Sequence, residues 1–82
     1  MEYQNYYHVE TDEFDIYYDR RESDGYHSFK VVTKKSYSRG KRYQIIHLSD
    51  EFVSNELESV IIETLSDQMR GVLTYLTAQG EL

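Results

Sequence analysis

Fifteen carboxylates and nine tyrosines supply most of the chemistry available to this 82-residue sequence. One acidic set, Asp12, Glu13, Asp15 and Asp19, falls in the first quarter of the chain, with Glu10 just before it. A second set, Glu51, Glu58, Glu63 and Asp67, is spaced as on one helix. Carboxylates held in rows can imitate the phosphates of a nucleic acid. A protein that grips DNA or RNA through Lys and Arg would be occupied by such a surface, through an attraction steered by charge and weakened by salt. The same acids also serve as a solvated face that keeps a small chain dispersed.

Eight of the nine tyrosines lie in the first 43 positions, with adjacent pairs at Tyr6-Tyr7 and Tyr17-Tyr18. A strand places the two rings of such a pair on opposite faces. Tyr6, Tyr17 and Tyr37 are the expected outward rings, each offering a large apolar body with a polar tip to a partner. The competing reading makes them strand formers that cap a thin core. The segment Lys34-Lys35-Ser36-Tyr37-Ser38-Arg39-Gly40-Lys41-Arg42 packs five cations around one tyrosine. Lys34, Lys35, Arg39, Lys41 and Arg42 could contact phosphates while the ring stacks on a base.

Catalytic and metal chemistry find little purchase. With no cysteine, disulfides, thiolate zinc sites and cysteine nucleophiles are excluded. His8, His27 and His47 lack close ligand spacing, although neighbouring strands could bring His27 and His47 beside a carboxylate. No phosphate-binding glycine loop, nucleophile elbow or dinucleotide fingerprint is present. The sequence therefore predicts no enzyme, no cofactor and no metal.

Charge is distributed in blocks. Residues 25–47 hold Lys30, Lys34, Lys35, Arg39, Lys41 and Arg42 and no acid, whereas the flanking segments are strongly acidic and give the chain a formal charge of -6. Local pairing of a basic hairpin with acidic neighbours is one outcome. Separation into one electronegative exterior is the other. The chain is expected to be intracellular and cytoplasmic, because neither a secretory signal nor a long apolar run is seen.

These side chains must be positioned by few elements, because 82 residues make one domain. In residues 13–19, Phe14, Ile16 and Tyr18 alternate with Glu13, Asp15, Tyr17 and Asp19, the period of a half-buried strand. The phase breaks near Thr11-Asp12, which allows one bent strand or a hairpin. Turn signals at Ser23-Asp24-Gly25 and in residues 36–40 bound two further strands. The last of these, residues 42–48, is apolar on both faces, which suggests a central position in the sheet. Ser49 then caps a helix. The expected architecture is α+β: residues 1–48 form a three- or four-stranded antiparallel sheet, and residues 49–79 a long amphipathic helix packed on it. The expected core is Phe14, Ile16, Phe29, Val31, Ile45, Phe52, Leu57, Val60, Ile61 and Leu65.

An unbroken helix over residues 50–78 would span about 43 Å, whereas a seven-residue strand spans about 23 Å. Either Gly71 breaks the helix, or Met69, Val72, Leu73, Tyr75 and Leu76 are left to meet a second copy. The profile is similar in physical type to small acidic inhibitors that bacteriophages encode, with no family motif matched. It predicts a non-catalytic binding protein that regulates or inhibits a protein with a basic, nucleic-acid-binding surface. The alternatives are a nucleic-acid-binding module using the basic hairpin and a structural homodimer subunit.

Overall fold

A computed structural model describes residues 7–82. Four antiparallel strands, β1 (His8–Glu10), β2 (Phe14–Arg21), β3 (Tyr26–Tyr37) and β4 (Gly40–Ser49), lie side by side in chain order. Two helices follow, α1 (Asp50–Asn55) and α2 (Glu58–Ala78), and the architecture is α+β. The phase break is a turn and not a bend. Thr11 Oγ1 accepts from the amides of Glu13 and Phe14, which reverses the chain between β1 and β2. Gly25 and Gly40 close the next two turns at φ values of 88° and 98°, a region that side chains with a Cβ rarely enter.

Register decides which residues enter the core, because directly opposed residues share a face. Phe29 opposes Ile46, and His27 opposes Leu48. Ile46 and Leu48 therefore join Phe14, Ile16, Phe29 and Val31 under the helices, all buried. Ile45, expected in the core, opposes Lys30 and lies on the other face, exposed. β4 is also an edge strand and not a central one.

The helical segment breaks, but not at Gly71. Ser49 caps α1 by accepting from the Phe52 amide at 3.1 Å. Asn55 ends α1, and Glu56 and Leu57 are extended, with ψ near 156° and 151°. Ser54 and Asn55 are weak helix formers, and that pair was the available signal. α2 then runs unbroken through Gly71, where an added Cβ would meet nothing within 4 Å. The break frees α1 to cover the end of the sheet, where Phe52 and Val53 pack against the core while only half-buried.

Ile61, Leu65 and Met69 recur every fourth residue and bury completely on the sheet. Met69 is thus a core residue and no dimer contact, whereas Val72, Leu73 and Leu76 are half-buried. Leu57 and Val60 were expected inside, but Leu57 is 73% exposed and Val60 also faces outward. They sit where the chain turns from α1 into α2. No helix among the described residues is long and apolar enough to cross a membrane.

Candidate functional site

The helices cover one face of the sheet and leave the other open. The ladders place His8 opposite Tyr17, Tyr17 opposite Lys30, and Lys30 opposite Ile45. Next to this row, Glu10 opposes Asp15, Asp15 opposes Val32, and Val32 opposes Tyr43. Tyr26, with the parity of Lys30, extends the face at one end. Tyr17, Tyr26 and Tyr43 are 38%, 44% and 60% exposed. Tyr17 and Tyr43 are held in place from the side: the His8 ring stacks on Tyr17 at 4.6 Å, and Lys30 Nζ lies 4.7 Å from the Tyr43 centroid. Rings fixed before binding lose little entropy when a partner covers them.

Tyr17 was legible as an outward ring. Tyr37 is half-buried with Lys35 Nζ 5.1 Å from its centroid, and Tyr6 lies outside the described residues. Tyr26 and Tyr43 were missed. Strand parity with Lys30 could have found Tyr26, whereas Tyr43 shares the parity of Ile45, which was expected inside, and only the pairing of Phe29 with Ile46 turns both outward.

The acidic positions do not form one row. Glu13, Glu63 and Asp67 converge on the Arg70 guanidinium, with Glu13 Oε1 at 2.8 Å and Glu63 Oε2 at 3.8 Å. Asp15 is on the opposite side of the molecule, where it accepts from His8 Nε2 at 2.9 Å. Asp12 lies in the first turn, and Asp19 falls at the β2 bulge between Tyr18 and Arg20. Glu51 and Glu58 join acids that sequence spacing did not flag. Gly25 accepts from the Asp50 amide at 2.8 Å, which brings Glu22 and Asp24 of the β2–β3 turn against α1 with its Asp50 and Glu51. Glu56 and Glu58 follow directly, so one end of the domain is acidic, tempered by Arg20 and Arg21.

The opposite end carries the basic hairpin. Lys34 is paired with Glu10 at 2.9 Å, and Arg42 donates to the Glu81 carbonyl at 3.1 Å. Lys35, Arg39 and Lys41 have no carboxylate partner among the described residues. Among the described residues, Lys34 is the one cation of the central block in an ion pair, and the acids Glu10, Asp12 and Glu13 at the β1–β2 turn stand at this same end.

His27 and His47 point to opposite faces. His27 Nε2 donates to Asp50 at 2.8 Å, and in the neutral ring Nδ1 accepts from the Tyr18 hydroxyl at 2.8 Å. Ser28 donates to Glu22 at 2.7 Å, so its oxygen accepts from His47 Nδ1 at 3.0 Å. No group of three metal-ligating side chains gathers among the described residues. A cleft of about 510 Å³ opens beside His27, lined by Tyr7, Tyr18, Phe29, Val53, Glu58 and Ile61. Both His27 nitrogens are engaged, which leaves that ring no lone pair for a substrate proton. At the rim of the cleft, the Tyr7 hydroxyl donates to Glu58 at 2.8 Å. Partial burial, and then that bond, push the Tyr7 phenol up to about 12.

The polar network at this end should show in acid. Ser28 and then Arg20 hold Glu22 below its ordinary 4.5, and His27 and then Arg21 hold Asp50 below 3.8. The unfolded chain binds these protons at a higher pH than the folded chain does. The resulting stability is present above the ordinary values and lost as pH falls through the depressed ones. Thermal midpoints from neutral pH to about pH 3 should fall more steeply for the native sequence than for a Glu22→Gln/Asp50→Asn variant. Parallel curves would remove these two groups from the account.

The chain matches no protein-family model, no curated protein and no solved structure.

Proposed function

We propose that this chain is a small non-catalytic binding protein that regulates or inhibits a macromolecular partner by laying its open sheet face against it. The observation that carries this reading is the set of exposed rings Tyr17, Tyr26 and Tyr43, with Ile45, on a face that neither helix covers. Fixed tyrosines beside an aliphatic side chain are the composition of interface centres, where desolvated rings supply most of the affinity. The partner is a protein that meets these rings with apolar groups. It meets the acidic end, around Glu22, Asp24 and Glu51, with basic ones. A surface that normally holds nucleic acid has that composition. Of the eight carboxylates foreseen from sequence, Glu51 and Glu58 stand at this end, and the others do not extend it into a continuous phosphate-like row.

The nucleic-acid reading rests on a separate feature, the carboxylate-free cations Lys35, Arg39 and Lys41 at the hairpin tip. Two experiments separate the readings. The chain and a Tyr17→Ser/Tyr43→Ser variant are immobilised and exposed to cell extract at low and high salt. The expected result is a basic protein retained by the native sequence at low salt, and lost both at high salt and on the variant. Identical retained sets would overturn the proposal. In gel-mobility assays, duplex and single-stranded DNA and RNA should run unretarded. Retardation that disappears in a Lys35→Ala/Arg39→Ala/Lys41→Ala variant would establish the nucleic-acid reading instead.

A further inference from the structure

The sequence of β4 and its place in the sheet disagree. Tyr43 and Ile45 on one face, and Ile46 and Leu48 on the other, are the pattern of a strand with neighbours on both sides. Yet β4 lies at the edge, and its outer side pairs with nothing among the described residues. The other edge is guarded differently. β1 is only three residues long, and its two exposed residues are His8 and Glu10, both held in polar pairs. β4 runs for ten residues, with no proline and no charged residue from Tyr43 to Ser49. Natural sheets rarely leave such an edge bare, because its unpaired amides and carbonyls are a template for another strand.

α2 agrees with β4. Arg70 on one flank of the helix reaches Glu13 in the β1–β2 turn. By the 3.6-residue period, the opposite flank, Thr64, Gln68, Gly71 and Tyr75, lies on the β4 side. That flank holds no charge, in a chain that is 29% charged. Tyr75 is 63% exposed on it.

Charge selects the occupant. Arg39 and Lys41 stand at the start of β4 and Glu51 just beyond its end, none with an ion-pair partner among the described residues. A strand with cations at one end and a carboxylate at the other is complementary to itself in the antiparallel sense. A two-fold axis perpendicular to the sheet keeps both pairs of helices on one side. It therefore brings residues of like parity together. An axis near Ile45 sets Arg39 and Lys41 of one copy beside Glu51 of the other.

We infer that β4 pairs with β4 of a second copy, forming a continuous eight-stranded antiparallel sheet with the uncharged flank of α2 closing over the seam. The half-buried residues Val72, Leu73 and Leu76 stay with the core side of the helix, and Tyr75 stands beside the seam. The two open faces then join into one platform with Tyr43 and Ile45 at its centre. This inference does not depend on the proposed function, since the dimer forms whatever the platform binds.

Light scattering with size-exclusion chromatography tests it directly. The native sequence should run at twice the chain mass at about 100 µM. Lys41→Glu and Glu51→Lys should each raise the dimer dissociation constant about tenfold or more. Both sites are exposed, and circular dichroism should show an unchanged fold. The combination Lys41→Glu/Glu51→Lys should restore most of the association lost by either change alone. Single-chain mass at about 1 mM, or a double variant as weak as the sum of its parts, would overturn the inference.

Discussion

Phe14→Ala and Met69→Ala should each destabilise the domain by about 3–5 and 2–5 kcal/mol respectively. Both side chains are essentially inaccessible, at 1% exposure, and they belong to one cluster with Ile16, Val31 and Leu65. Truncation removes transfer free energy and leaves a cavity, because strands on one side and a helix on the other cannot both collapse into the space. A domain of this size has roughly 4–12 kcal/mol of stability, so either change consumes a large share. Urea midpoints should fall sharply for both, whereas Tyr75→Ala on the exposed flank of the same helix should shift the midpoint little. The Met69 result also separates two roles. An unchanged midpoint with weakened self-association would return that residue to an interface and contradict its burial.

Period-two alternation made the antiparallel sheet legible, and the three- and four-residue apolar spacing made the C-terminal helix legible, because those patterns report burial on one face. Phe14, Ile16, Phe29, Val31, Ile61 and Leu65 followed directly. Ile45 and Ile46 could not be told apart by pattern alone. Adjacent isoleucines satisfy either parity, and only the pairing of Phe29 with Ile46 selects one. The helix break escaped because the apolar stripe continues across Glu56 and Leu57 in sequence while the backbone there is extended. Gly71 drew attention because glycine is the poorest helix former after proline, yet on an exposed face it costs only about 1 kcal/mol, which the burial of Ile61, Leu65 and Met69 along the same helix outweighs.

The binding surface was less legible than the fold. Carboxylate spacing along the sequence foretold rows. It could not foretell that Glu13, from a turn, would meet Glu63 and Asp67 at a single arginine. Nor could it foretell that Asp24 would be drawn against α1 through the Gly25–Asp50 hydrogen bond. These are contacts between distant stretches of chain, and local composition carries no record of them. Tyr43 is the instructive case. Its parity is plain once β4 is placed, but its exposure depends on which face the helices choose.

The sharpest test of the account is a comparison of affinities for the partner retained in the salt-dependent capture. Tyr17→Ser/Tyr43→Ser should weaken binding about thirtyfold to a thousandfold, the usual cost of removing buried aromatic anchors. Its thermal midpoint should stay close to that of the native sequence, since neither ring is in the core. Glu63→Gln/Asp67→Asn, on the helical side around Arg70, should change affinity by no more than about threefold. Titration calorimetry on the two variants decides between the surfaces. The predicted result is loss of binding on the sheet face with the helical variant near native. Native-like affinity in the tyrosine variant, with loss in the helical one, would contradict the central claim and move the contact to the other side of the molecule.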